Sequence, residues 1–215
     1  EAKAVMHSFA EKGYLASGNR GTNYLFVDAN GKILQIADNC YKIIEEQVNP
    51  SLKKDGEEYK GIYFTVSRVN DYGSPEDALI SNYGNITIEL ANSPKVSKHP
   101  AMWNFERAQS SATILIDPEY PETLTTIFVT LPAYGYSIPF LMGANATPRA
   151  LMDGTVYEKQ RTSFEYSEFH EAGINDMWRK FIYGVRADLK EGKDVQEELN
   201  ENFQKMVDFI LAMND

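Results

Sequence analysis

Cysteine is nearly absent from the chain, which excludes folds that are held together by disulfide bonds. Cys40 is the single cysteine among 215 residues, so neither an internal disulfide nor a cysteine-rich zinc site can form. Its neighbours Asp38 and Asn39 supply no positive charge that would stabilise a thiolate. We therefore expect Cys40 to be structural; the alternative is a thiol hydrolase that uses it as the nucleophile.

Histidine is also scarce, and its spacing predicts no metal site. None of the three histidines has a second histidine three or four residues away: His7, His99 and His170. His170 and Glu171 begin like the zinc-binding helix of a metalloprotease, but Ile174 stands where that motif has its second histidine. We expect Glu165, Glu168, His170 and Glu171 to form a solvated charged face instead.

Long apolar runs and positive charge are lacking as well. No apolar run approaches the roughly 20 residues of a membrane-spanning helix, so no span is predicted. The chain has 21 basic and 31 acidic residues, a formal charge of −10 and no basic cluster, which argues against a nucleic-acid partner. Motifs for dinucleotides, phosphates and serine hydrolases are missing, and we predict no cofactor. The composition fits a cytoplasmic or a secreted prokaryotic protein.

What the chain does contain is aromatic and β-branched sequence arranged in hairpins. Residues 2–12 have helical spacing and end at Gly13. Asn30 and Gly31 predict a type I′ turn between strands at residues 22–29 and 32–37. Residues 24–27 are apolar on both faces, which predicts a strand covered from both sides. The following segments predict a strand at 41–47, a solvated loop at 49–58, a strand at 61–69 and a short helix at 74–83.

The second half predicts another hairpin and then helices. Its strands are residues 111–117 and 124–131, and helical segments follow at 147–154, 165–189 and 195–213. Met177, Phe181 and Val185 form one apolar stripe. This order favours a single α+β domain over residues 1–215, with largely antiparallel sheets and C-terminal helices, compatible with an α-β-β-α sandwich. Because the first residues are already helical, we expect the C-terminal part of a longer or self-processed chain.

Five segments form an ordered set with a family likeness. They are residues 22–31 (TNYLFVDANG), 94–100 (PKVSKHP), 111–118 (SATILIDP), 126–130 (TIFVT) and 133–136 (AYGY). This series resembles the C-terminal half of the acyl-coenzyme A:6-aminopenicillanate (isopenicillin N) acyltransferase family, which belongs to the N-terminal-nucleophile (Ntn) hydrolases. Residues 137–154 and the region around Trp178 also resemble the related dipeptidase family.

The resemblance implies an enzyme that hydrolyses amide bonds or transfers acyl groups. Its substrates would be small acylated amines, amino-acid amides or short peptides. In that family autoproteolysis exposes a Cys whose own α-amino group takes the thiol proton, and the sulfur then attacks the amide carbonyl. The nucleophile would therefore lie upstream of Glu1, in another segment of the same precursor.

The same resemblance implies site residues, with two departures from the family pattern. The strand that carries the family's oxyanion-stabilising Asn should fall at residues 61–70, but Val66 follows Thr65, and Asn70 is the nearest amide. Lys98 stands where the family has Arg before His99, which replaces a bidentate carboxylate contact by a point charge. The implied substrate contacts are Lys98, His99, Tyr134 and Tyr136. The alternatives are a solvated strand end for Asn70, a surface lysine for Lys98, a packed histidine for His99 and aromatic packing for Tyr134 and Tyr136.

The departures keep two further functions open. One is an Ntn dipeptidase of the related clade, and the other is a non-catalytic relative that binds a ligand in the same pocket. The expected partners are a small amide or peptide substrate and the upstream segment, and apolar patches on the hairpins are compatible with a homodimer.

Overall fold

In the computed structural model, the residues described are 1–14, 23–38, 42–62, 75–93, 95–96, 111–130, 136–163 and 168–213. They belong to two compact units, Glu1–Ser67 and Arg68–Asp215. The prediction of one domain stays a prediction.

The first unit is a helix and two small antiparallel sheets. Its elements are α1 (Ala2–Glu11), β1 (Asn23–Val27), β2 (Ile33–Asp38), β3 (Ile43–Val48), β4 (Ser51–Lys54) and β5 (Glu57–Lys60). Strands β1, β2 and β3 pair in that order, and β4 pairs with β5. Met6 of α1 and Ile36 of β2 are buried together, and Tyr24 and Phe26 pack against them. The predicted helix and the hairpin at residues 22–37 are therefore confirmed.

The turn between β1 and β2 differs from the predicted type I′ turn. Gly31 has a positive φ of 74°, but Asn30 does not, and a type I′ turn needs both. Instead, one carboxylate oxygen of Asp28 accepts hydrogen bonds from the amides of Asn30 and Lys32, both at 2.9 Å. Asp side chains stabilise such turns by bonding backbone two residues on, and here this local contact determines the turn.

A type I′ turn occurs later, where the sequence predicted a solvated loop. Asp55 and Gly56 both have positive φ, 52° and 86°, and they connect the paired ends of β4 and β5, Lys54 and Glu57. The prediction of a loop at 49–58 was wrong because Asp-Gly is itself a two-residue hairpin signal.

In the part of the chain that the structure describes, strand β1 is covered on one side only. Leu25 is 53% exposed and Val27 is 42% exposed, whereas Tyr24 and Phe26 face the buried pair of Met6 and Ile36. The prediction from the apolar run failed because an apolar side chain on the second face does not require a covering layer.

The second unit contains a three-stranded antiparallel sheet and most of the helices. Its strands are β6 (Ser111–Leu115), β7 (Thr126–Thr130) and β8 (Ile138–Leu141), paired in that order. Its helices are α2 (Pro75–Ser81), α3 (Ile88–Ala91), α4 (Pro121–Leu124), α5 (Arg149–Met152), α6 (Thr155–Ser163), α7 (Glu168–Lys190) and α8 (Gln196–Ala212). The predicted hairpin and C-terminal helices are confirmed. Strand β8 was not predicted; it contains Pro139, which strands tolerate mainly at their edges.

The core of this unit lies between the sheet and the two long helices. The Phe128 ring meets the Trp178 ring edge to face at 5.3 Å, and the Trp178 indole donates a hydrogen bond of 3.0 Å to the Thr126 hydroxyl. The predicted helix at residues 195–213 is α8, and its buried apolar residues are Leu199, Phe203, Met206, Val207 and Ile210. On α7 the buried stripe is rotated from the predicted one and contains Ile174, Trp178, Ile182 and Val185, while Met177 and Phe181 are only partly buried.

The observed class is thus α+β, with antiparallel sheets and C-terminal helices, as predicted. Among the described residues, no helix is both long enough and apolar enough to cross a membrane.

The contact between Phe128 and Trp178 predicts a large loss of stability when Phe128→Ala removes the buried ring. Phe128 is 1% exposed, and such truncations cost about 3–5 kcal/mol of unfolding free energy. Ile114→Ala on the neighbouring strand is the control, because Ile114 is 59% exposed and should cost less than about 1 kcal/mol. Urea denaturation of both variants measures the difference. Equal losses would show that the sheet does not pack on α7 as described.

Candidate functional site

Tyr136 is the predicted site residue that the described part of the chain includes. Its side chain is 0% exposed, and its hydroxyl lies 3.0 Å from Nδ1 of His170 on α7. The two rings also meet edge to face at 5.8 Å. These contacts are the aromatic packing that was the alternative for Tyr136, and its contact with a substrate stays a prediction. Asn70, Lys98, His99 and Tyr134 lie outside the described residues.

The main chain at Tyr136 and Ser137 is held by two further side chains. Gln160 of α6 donates from Nε2 to the carbonyl oxygen of Tyr136 at 3.4 Å. The Ser137 amide donates to Oε2 of Glu171 at 3.2 Å. We call these five residues the Tyr136 cluster: Tyr136, Ser137, Gln160, His170 and Glu171. Because both helices bind the same dipeptide, the start of β8 is fixed relative to α6 and α7.

Glu171 corrects the prediction of a solvated charged face. It is only 4% exposed, so its carboxylate is inside the protein. A buried carboxylate needs hydrogen bonds to compensate for lost hydration, and the Ser137 amide supplies one of them. The sequence did contain a signal: Glu171 lies three and seven residues before Ile174 and Trp178, on the stripe that α7 buries. His170 is half-buried beside it.

A second polar site lies at the turn after β6, where Asp117 is 7% exposed. Its carboxylate accepts hydrogen bonds from the amides of Glu119, at 3.0 Å, and Tyr120, at 2.8 Å. Arg186 of α7 forms an ion pair with Asp117 and a second one with Glu119 at 3.1 Å. The Arg186 guanidinium also lies 6.0 Å from the centre of the Tyr120 ring. We call these residues the Asp117 cluster: Asp117, Glu119, Tyr120 and Arg186.

The surroundings of Asp117 favour its charged form. Burial on its own would raise the pKa of the Asp117 carboxyl. Hydrogen bonds from the Tyr120 amide, from Arg186 and from the Glu119 amide outweigh burial and hold this pKa below its ordinary value. The carboxylate is therefore charged at neutral pH and binds the turn to α7.

Each cluster consists of polar groups that hold a backbone segment in place. The Tyr136 cluster combines a phenol, an imidazole and a carboxylate, and the Asp117 cluster combines a carboxylate with a guanidinium. Within the described ranges, no group of three or more His, Cys, Asp and Glu side chains is arranged to hold a metal ion. The two clusters bind backbone segments at opposite ends of the sheet to α7, one before the start of β8 and one after the end of β6.

The Asp117 cluster predicts a stability difference that depends on pH. Asp117→Asn removes the negative charge that Arg186 and the two amides bind, and hydrogen bonds to charged groups contribute about 1.5–3 kcal/mol each at most. We expect the variant to be less stable by about 2 kcal/mol at pH 7. Because the folded pKa is lowered, this contribution is present above about pH 4 and disappears as the pH falls through the folded value.

Denaturant unfolding of wild type and Asp117→Asn from pH 7 to about pH 2 measures that difference. Asp176→Asn is the matched control, since Asp176 is 69% exposed in its ion pair with Arg179 and should matter by less than about 1 kcal/mol. A difference that grows on acidification would contradict the account.

The Tyr136 cluster predicts an energetic coupling between Tyr136 and His170. Tyr136→Phe and His170→Ala each remove one partner of the 3.0 Å hydrogen bond. A double-mutant cycle on unfolding free energy should give a coupling of about 0.5–1.5 kcal/mol. Tyr183→Phe, which changes a tyrosine that is 67% exposed, should show no coupling with His170→Ala. A coupling energy of zero between Tyr136→Phe and His170→Ala would mean that the hydroxyl and the imidazole do not interact.

Because no known protein matches the chain, its function has to be inferred from the residues and contacts described above. No model of a protein family, no curated protein and no solved structure matches the chain. The likeness of the five segments to the acyltransferase family therefore stays a prediction, and it enters below as part of a proposal.

Proposed function

We propose that the chain is part of an Ntn enzyme that hydrolyses linear amides or transfers their acyl group. The substrates are small acylated amines, amino-acid amides or short peptides. Two kinds of observation support this: the ordered segments from residue 22 to residue 136, and the construction of the sheet that two of those segments form. The observation that carries the proposal is the sheet.

One face of the sheet is covered by helix α7, and the opposite face is apolar and open along β6 and β7. Phe128 and Thr126 of β7 contact Trp178 of α7, so the helices cover that side. On the opposite side Ile127 and Val129 are only half-buried, and Ile114, the neighbour of Ile127 on β6, is 59% exposed. On β8 this same side is covered, because Ile138 is 2% exposed and Phe140, which pairs with Ile127, packs against Phe203 of α8. An inner layer of an α-β-β-α sandwich has helices on one face and a second sheet on the other. The exposed apolar residues of β6 and β7 are compatible with such a second sheet, although exposure of this kind does not by itself require one. In the proposal, β6, β7 and β8 are part of such a layer.

The proposed mechanism is that of the family which the segments resemble. A Cys upstream of Glu1, freed by self-cleavage, donates its thiol proton to its own α-amino group and attacks the amide carbonyl. The C–N bond breaks, the amine leaves with a proton, and water or a second amine releases the acyl group from sulfur. Asn70 is the proposed oxyanion donor, and Lys98, His99 and Tyr134 are the proposed substrate contacts. Tyr136, fully buried beside His170, supports the wall of the pocket.

The experiment is to express the protein from its whole reading frame and to determine its N-termini by mass spectrometry. We expect a chain that begins with a freed Cys, and release of amine from a panel of N-acyl amino acids, amino-acid amides and dipeptides. Substitution of that Cys by Ala should lower the rate by about a thousandfold or more and prevent the self-cleavage. The preferred member of the panel distinguishes acylated amines from the dipeptides of the related clade.

Cys40→Ala is the matched control, because a structural Cys40 leaves both self-cleavage and amine release intact. Loss of activity in that variant would support the thiol-hydrolase alternative. If the upstream sequence offers no Cys, Ser or Thr at a cleavage point, the enzymatic proposal fails. Binding of an amide without any acyl-enzyme or amine release would favour the non-catalytic relative, to which Val66 and Lys98 already point.

A further inference from the structure

A cleft of about 260 Å³ lies between the end of β6 and helix α7, beside the Asp117 cluster. Its floor is formed by Leu124, Trp178 and Ile182, which are 2%, 7% and 6% exposed. Leu115, 39% exposed, forms part of the rim, and Arg179 and Arg186 also line the cleft. The Asp117 cluster explains the fold of one end of this cleft, but neither that cluster nor the proposed amide chemistry explains the cleft itself.

The size of the cleft limits what it can hold. At about 30 Å³ for each water molecule in the liquid, this volume corresponds to roughly nine water-sized groups. The buried floor is apolar and includes the indole of Trp178, whose N–H is already bonded to Thr126. A flat ring or a short chain therefore fits the floor, because it gives up little hydration there.

The two arginines of the cleft differ in how strongly their carboxylate partners are held. Arg186 binds Asp117, which is buried and also held by two backbone amides. Arg179 pairs with Glu89, whose side chain is 41% exposed but whose contacting oxygen Oε1 is buried, and with Asp176, which is 69% exposed. An ion pair of a group as exposed as Asp176 contributes little. Within the lining, one carboxylate therefore faces two guanidiniums, and a ligand can engage Arg179 by displacing the exposed carboxylate of Asp176.

We propose that this cleft binds small apolar carboxylates, with the carboxylate on Arg179 and the ring or chain over Trp178, Ile182 and Leu115. Arg179 and Trp178 both line the cleft, so one ligand reaches both. The guanidinium has several N–H donors, so its Nη1 binds the ligand carboxylate in place of Asp176 while Nη2 keeps Glu89. For a ligand of about nine non-hydrogen atoms we expect a dissociation constant on the order of 1 mM. This proposal does not depend on amide hydrolysis and stands or falls separately from it.

The test is NMR titration of the whole ¹⁵N-labelled protein with benzoate and with benzamide, its neutral equivalent in shape. The readout is the indole N–H of Trp178, assigned by comparison with Trp103→Phe. Benzoate should shift this resonance saturably, and benzamide should bind about tenfold more weakly or worse. Arg179→Gln should weaken benzoate to the level of benzamide and leave benzamide unchanged. Arg149→Gln, at a position 91% exposed on α5, is the control and should change neither.

A second variant, Leu115→Trp, tests the cleft independently of Arg179→Gln. Its larger side chain fills the cleft from the rim and should abolish the shifts from both compounds. Thermal unfolding checks that each variant is folded. An indole resonance that does not respond to about 20 mM benzoate would overturn the proposal, since that is well above the expected dissociation constant. Equal binding of benzoate and benzamide, or unchanged benzoate binding in Arg179→Gln, would overturn it too.

Discussion

The second unit depends on one packed contact, that of α7 with the sheet through Trp178. The Trp178 ring covers Phe128, and its indole nitrogen satisfies the buried hydroxyl of Thr126 on the same strand. One side chain thus provides both the apolar contact and the polar partner that this face of β7 requires. A contact of this kind fixes the rotation of α7 as well as its distance from the sheet.

The rotation of α7 in turn explains why the two polar clusters exist. Glu171, Trp178 and Arg186 follow one another at seven and eight residues, which is about two turns of helix each. They therefore lie near one face of α7, and each binds a different part of the sheet: Ser137 at the start of β8, Phe128 in β7 and Asp117 after β6. On this face the 23-residue helix α7 therefore has a charged side chain towards each end and the apolar ring of Trp178 between them.

Local signals in the sequence predicted much of the fold, and non-local contacts account for the rest. The end of α1 before Gly13, the hairpin around Gly31 and the helix α8 depend on neighbours in sequence, and each was predicted correctly. The burial of Glu171 depends on Ser137, 34 residues away, and the partner of Asp117 is 69 residues away. Sequence periodicity does not report such distances.

The candidate site shows the same division. Tyr136 was singled out from a short aromatic segment, but its partner His170 comes from a distant helix, in a charged segment that was expected to be solvated. Turn geometry was also predicted incompletely. The Asp28 carboxylate determines the first hairpin turn. Asp55 and Gly56 form a second hairpin turn, in a segment whose charge and proline suggested a loop.

The separation between the sheet and its covering helix has a consequence for biosynthesis. Trp178 follows Thr126 by 52 residues, which a ribosome adds in roughly 3–10 s at about 5–20 residues per second. During that interval β6 and β7 have been made, while the ring of Phe128 has no helix to cover it. The nascent chain therefore passes through a stage at which an apolar strand surface is open to chaperones and to other unfinished chains.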